Sequence, residues 1–277
     1  MQVWALIPNG YSPDTLAALL VIVGAAALMS GLSGFGFSAV GALSLWLLPP
    51  KLGVPLLMGL STANQLMSIR QLRADMPPVR RWWPQGPGPY LLGGLIGVPA
   101  GLRILHGLQT STLVALFGVF LVLYAAYSLL KPETLRIPTA GGWQVSCLIG
   151  AIGGVVGGFT AFPGAAVVVW SGLRQLPKTA SRAIVQPYIL ALQIVALFLL
   201  AIQHPETFST TYWSLLLWTL PVVLPCTLVG VYLYRFLSDV NFRRVTFMLL
   251  GVSGAGLLFK AMGSLPVLAA VAHALPK

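Results

Sequence analysis

Acidic residues are scarce in this chain. Only five Asp and Glu stand among 277 residues, against 16 Lys and Arg, and charged residues of both signs make up 8% of the sequence. A soluble domain carries roughly 25% charged residues, so too little charge is present to coat a water-facing surface. With 57% apolar residues and a mean hydropathy of +0.88, the chain is predicted to be an integral membrane protein. The five acids are Asp14, Asp75, Glu133, Glu206 and Asp239, and all fall in loops or at the ends of apolar segments. No carboxylate is therefore expected at membrane depth. Cation transporters and most proton-coupled pumps keep one there, which argues against both.

Cysteine is equally rare. Cys147 and Cys226 lie in apolar stretches, where isolated thiols act as small hydrophobes, so no disulfide, metal or cofactor is predicted. The net charge of +11 is spread between apolar segments rather than gathered into one stripe. A nucleic-acid partner is excluded on that ground. No basic stretch or cleavage site precedes the first apolar segment, so no removable signal peptide is expected.

What is present is a series of long apolar runs. A bilayer core of about 30 Å takes about 20 residues of helix, and segments near that length run over Thr15–Ser33, Gly53–Ile69, Gly88–Leu105, Thr112–Leu130, Ala180–Ala201, Tyr212–Tyr234 and Val245–Phe259. Phe37–Leu48 would be about 18 Å long, too short to cross, and reads as a half-helix. Trp143–Leu173 is interrupted near Gly157–Pro163. Leu265–Ala274 is also too short for a span.

The basic residues divide into two sets. Arg70, Arg73, Arg80, Arg81, Lys131, Arg136, Arg174, Lys178, Arg182, Arg235, Arg243 and Arg244 mark the cytoplasmic side. Lys51, Arg103, Lys260 and Lys277 mark the outside. On that topology the broken hairpin Thr15–Leu48 starts and ends outside, whereas Trp143–Leu173 starts and ends inside. The chain is thus expected to be all-α and polytopic, one membrane domain over residues 1–277. It is built as an inverted-topology repeat, 15–131 and 143–260, each half a broken or re-entrant hairpin followed by three transmembrane helices. Gly31 and Gly34 align with Gly154 and Gly157, and Pro50-Lys51 aligns with Pro177-Lys178 across a small gap.

Unpaired backbone amides cost several kcal/mol in hydrocarbon, so broken helices persist only where buried in protein or lining a wet cavity. Paired breaks in an inverted repeat point to a transporter's central site. Helix N-termini favour anions, which places a negatively charged ligand against Ser33, Gly34, Phe35, Gly36, Phe37 and Ser38 of the first break. Gly158, Thr160, Phe162, Pro163 and Gly164 form its counterpart at the second. Asn64 and Gln65 of "STANQ" and Gln186, Tyr188 and Gln193 of "QPYILALQ" supply uncharged polar groups mid-span. Each also fits an ordinary interhelical hydrogen bond, and Gly158 fits a small-residue packing face. Arg182 reads as a snorkelling residue or an anion funnel.

The stretches "GLSGFGFSAVGAL", "PPKLGVPLLMGLSTANQ", "IGGVVGGFTAFPGAAVVVW" and "LPKTASRAIVQPY" resemble the TauE/SafE family of sulfite and organosulfonate exporters, in order over most of the chain. The resemblance implies a non-enzymatic transporter of sulfite, sulfoacetate or a related sulfur anion in a bacterial inner membrane. Outward movement of one negative charge gains about 2.3 kcal/mol per 100 mV of inside-negative potential, so export needs no coupling ion. Two other classes remain open on the residues alone. A passive anion channel uses the same donors, and Gly31-Leu32-Ser33-Gly34 spells the GxSG of an intramembrane serine protease, which needs a histidine base.

Overall fold

The computed structural model describes residues 11–71, 82–83, 86–130, 142–233, 251 and 254–261. The described residues are predominantly helical. In chain order they form α1 (Pro13–Ser33), α2 (Phe37–Gly41) continued by a 3-10 turn (Ala42–Trp46), α3 (Pro50–Gln71), α4 (Gly88–Gly107) and α5 (Thr110–Leu130). After the connection come α6 (Gly142–Thr160), α7 (Gly164–Leu173), α8 (Lys178–Gln203), a 3-10 turn (Pro205–Phe208) and α9 (Thr210–Leu233). Residues 254–261 are also helical.

Local sequence sets several of these boundaries. Ser12 caps α1 by accepting from the Thr15 amide at 3.2 Å, with Pro13 in the first turn and Asp14 beside the positive end of the helix dipole. Among the described residues seven helices, α1, α3, α4, α5, α6, α8 and α9, are long and apolar enough to cross a membrane. The two shorter apolar pieces are Phe37–Trp46 and Gly164–Leu173, where the length argument put the half-helix and the interrupted segment. The predicted spans therefore all have a helix in the structure except Val245–Phe259, which lies partly outside the described residues; Leu265–Ala274 lies wholly outside them.

Exposure is inverted relative to a soluble protein. Large apolar side chains such as Val21, Ile96, Leu217 and Phe259 stand 68–74% exposed, while Asn64, Gln65, Gln186 and Gln193 are at most 2% exposed. Lipid, not water, solvates such an exterior. This is an all-helical, multi-pass membrane protein.

The most extensive helix contacts pair α4 with α6 and α1 with α9. Both are seams of small residues. A β-carbon on Gly97 of α4 would sit 2.1 Å from the Ala151 carbonyl of α6, and one on Gly31 of α1 would sit 2.5 Å from the Thr227 carbonyl of α9. Neither position admits any side chain, and both bring backbones into direct contact. The first helix of each broken hairpin is thus fastened to a span from the other half of the chain. The helices α3 and α8, which pack on each other, form the centre between the two seams.

Candidate functional site

The two breaks are built alike, residue by residue. At the end of α1 the Ser33 hydroxyl donates to the Met29 carbonyl at 2.8 Å and accepts from the Phe35 amide at 3.3 Å. At the end of α6 the Thr160 hydroxyl donates to the Val156 carbonyl at 2.7 Å and accepts from the Phe162 amide at 3.1 Å. The next residue in each case takes a left-handed conformation, Gly34 at φ +78° and Ala161 at φ +58°. Its amide closes the helix onto the carbonyl four residues back, Ser30 and Gly157 respectively. One register thus pairs Ser33-Gly34-Phe35 with Thr160-Ala161-Phe162. It carries through without a gap to Pro50-Lys51 and Pro177-Lys178.

This register differs from the one read in the sequence. Pairing Gly31 and Gly34 with Gly154 and Gly157 follows glycine identity and slips the copies by one helical turn. Here Pro163 corresponds to Gly36. The reason is physical: Gly154 and Gly157 are kept small by packing, against the Gly94 backbone and Pro163 respectively, whereas Gly34 stands at the left-handed turn itself, which the other copy makes with Ala161.

A glutamine from the central helices reaches each break. Gln65 Nε2 of α3 donates to the Gly34 carbonyl at 3.2 Å, and Gln193 Nε2 of α8 donates to the Ala161 carbonyl at 3.2 Å. The breaks also touch, since the Ser38 hydroxyl donates to the same Ala161 carbonyl. Gln186 lies at the first break, where a β-carbon on Gly34 would come within 2.9 Å of its Nε2, and Gln193 lies at the second. The rise between them along α8 is about 10 Å, so the breaks fall on either side of the helix middle.

The polar inventory of this region is incompletely paired. Gln186 is buried, and neither its Nε2 nor its Oε1 has a hydrogen-bond partner among the described residues; Gln65 Oε1 and Gln193 Oε1 share that state. An unpaired buried amide group costs about 1–3 kcal/mol. Four such atoms gathered around the two breaks form a polar set suited to holding a ligand.

Arg182 departs furthest from its sequence reading. Its Nη2 donates to the carbonyls of Leu32 at 2.6 Å and Gly31 at 3.3 Å, and its Nε donates to Ser33 at 3.4 Å. The guanidinium caps the negative end of α1 and brings a full positive charge beside Gly34 and Gln186. Neither snorkelling nor a surface funnel describes this placement. Its one sequence-level signal is that Arg182 and Gln186 are four residues apart, on one helix face.

Other candidate residues are occupied with packing. Asn64 donates from Nδ2 to the Ser30 hydroxyl and accepts at Oδ1 from the Thr227 hydroxyl, both at 2.7 Å, tying α3 to α1 and α9. Tyr188 donates to the Gly150 carbonyl at 2.6 Å, bracing α8 against α6. Gly158 lies against the Gly101 backbone in the α4–α6 seam, Pro163 packs on Gly157, and Gly164 faces Ile189 and Val185 of α8. Phe162 meets Phe120 and Tyr124 of α5 edge-on. Phe37 is buried, Phe35 is half-buried against the core, and Gly36 takes φ +88° where a β-carbon would meet only the Ser33 hydroxyl, at 3.6 Å.

The Phe35 carbonyl also lies within hydrogen-bond reach of the Ser33 hydroxyl, so its one hydrogen is shared between backbone acceptors. Among the described residues His106 and His204 line a cavity together with Tyr11, at the end of α1 opposite Ser33. No imidazole stands near the GxSG serine among the described residues, and His273 lies outside them.

No curated protein and no solved structure matches the chain. The family described as sulfite exporter TauE/SafE matches over residues 18–257, a span that takes in both breaks, both glycine seams and the central helices. A pair of like-built helix breaks in a multi-pass membrane protein, inside a family match of that extent, places the chain in the sulfite exporter TauE/SafE family.

Proposed function

We propose that the protein is a secondary transporter, not an enzyme, that moves a small sulfur-containing anion outward across a bacterial inner membrane by alternating access. The candidate substrates are sulfite, sulfoacetate and other organosulfonates. Family membership supports the anion and the direction. The inverted repeat, residues 15–131 and 143–260, is supported by the shared break motif and by the reciprocal seams, α1 on α9 and α6 on α4. Each half's hairpin grips the other half's third long helix, the arrangement a two-fold axis in the membrane plane would generate.

The observation that carries the reading is Gln186, a buried side chain amide with no partner, beside Arg182 and the Gly34 turn. The anion would sit between the breaks, with Arg182 supplying charge, Gln186 Nε2 an unpaired amide donor, and first-turn amides of α2 and α7 further donors, while Gln65 and Gln193, whose Nε2 groups hold the Gly34 and Ala161 carbonyls, position the breaks around it. Asn64 and Tyr188 act as braces.

The test is efflux of labelled sulfite from proteoliposomes under an inside-positive or inside-negative potential. Saturable flux, faster with the negative side inside, and lost at least ten-fold in Gln186→Leu, is expected. Gln186→Leu removes an unpaired polar group, so its thermal stability should equal or exceed that of the parent. Parental flux in that variant eliminates the site, and unitary currents in planar bilayers would make the protein a channel.

A further inference from the structure

A second polar site lies away from the breaks, at the end of the molecule where α3 and α9 begin and α4 and α8 end. A cavity of about 810 Å³ opens there, lined among others by Lys51, His106, His204, Glu206, Ser209 and Thr211. The sequence reading assigns this end to the outside. Its central feature is a stacked imidazole pair, His106 on His204, with ring centroids 3.7 Å apart and planes within 4°.

The hydrogen bonds define which nitrogen of each ring is left over. His106 Nδ1 is 3.2 Å from the Leu102 carbonyl, and His204 Nδ1 is 3.0 Å from Glu206 Oε1. A carbonyl and a carboxylate only accept, so each Nδ1 carries the hydrogen. Each Nε2 is then a lone pair when the ring is neutral and a donor only when the ring is protonated. Glu206 is held below the usual carboxylate range, first by its own backbone N–H and then by His204, so it stays ionised. Its charge cancels that of Lys51. The cavity has no net charge while both imidazoles are neutral and becomes cationic when a proton arrives. Tyr11, ahead of α1, is the remaining titratable lining residue, and burial pushes its phenol up, away from ionisation.

We infer that this cavity binds a small inorganic oxyanion together with a proton, the anion bridging Lys51 and the Nε2 edges of the histidine pair, with the Ser209 and Thr211 hydroxyls as neutral donors. Stacked imidazoles repel when both are charged. An anion across their edges offsets that repulsion, so binding and protonation reinforce each other. The site rests on the cavity alone and stands apart from the central transport site.

Inorganic sulfate is the probe, because its charge stays constant over the range in which imidazoles titrate. Calorimetric titration of the full chain in detergent, at constant ionic strength, is compared at about pH 5.5 and about pH 8. Saturable binding at the lower pH, at least ten-fold weaker at the higher, is expected, with proton uptake visible as a heat that varies with the buffer. Lys51→Gln and His106→Gln should each weaken it at least ten-fold. Lys51 is exposed, so its variant tests the site without disturbing the fold. Binding absent at the lower pH, equal at both, or unchanged in both variants overturns the assignment. Sulfite flux measured in parallel separates the two claims: flux without sulfate binding sinks this site alone, and binding without flux sinks the transport reading alone.

Discussion

Arg182 Nη2 donates to the Leu32 carbonyl at 2.6 Å, so a helix of the second half closes the end of a helix of the first. A planar guanidinium reaches the carbonyls of Gly31, Leu32 and Ser33 at once, which an ammonium on a flexible stem does not reproduce. Arg182→Lys should therefore retain charge but loosen the cap, lowering stability by about 1–2 kcal/mol with partial flux. Arg182→Gln should lose flux at least ten-fold. Thermal melts in detergent beside proteoliposome flux check both, and equal behaviour of the two variants would contradict the capping role.

Gly34 is constrained twice over. It takes φ +78°, and a β-carbon there would lie 2.8 Å from Arg182 Nε and 2.9 Å from Gln186 Nε2. Gly36 takes φ +88° with nothing closer than 3.6 Å. Gly36→Ala should cost only the left-handed penalty, about 1–2 kcal/mol, whereas Gly34→Ala should cost that plus the displacement of Arg182 and Gln186, and abolish transport. A midpoint shift of the same size in both variants would contradict this ranking.

Ser33 and Thr160 close their helices with the same pair of bonds. Ser33→Ala and Thr160→Val should therefore lower stability by similar amounts, about 1 kcal/mol each. Ser33→Ala should keep measurable transport, which a nucleophilic serine would not allow. Complete inactivity of Ser33→Ala with an intact fold would reopen the protease reading.

The Asn64–Thr227 bond joins α3 to α9 at 2.7 Å. A double-mutant cycle with Asn64→Ala and Thr227→Val should give a coupling of about 0.6 kcal/mol, and no more than about 1.7. Zero coupling would remove the brace.

Glu206 offers a pH test at the histidine cavity. Its carboxyl is lowered, so the associated stability is present above the ordinary carboxylate range and is lost as pH falls through the depressed value. His204→Ala should raise that titration only part of the way back, because the backbone N–H is the larger cause. Carboxylate infrared titration reads the midpoint, and full reversion would contradict that order.

The breaks and half-helices were legible in the sequence because length alone forbids Phe37–Leu48 from crossing a bilayer. The register between the copies was not. Glycine identity dominates a sequence alignment, yet Gly154 and Gly157 serve packing whereas Gly34 serves a turn, and the equivalent of Gly34 is an alanine. Arg182 was misread because snorkelling presumes lipid around the side chain, while here the end of α1 lies beside it. That proximity is tertiary, set by seams between residues far apart in the chain. Nothing in the spacing of His106 and His204 brings their two rings into contact.

The reciprocal seams bear on biosynthesis. The backbone groove at Gly31 is filled by Thr227 and Gly230, which leave the ribosome long after α1 has entered the membrane. The nascent amino-terminal half must wait in lipid with that groove uncovered until α9 arrives. Cutting the chain between α5 and α6 would yield two fragments, each stranded without its mate, and only their co-expression should recover a stable protein.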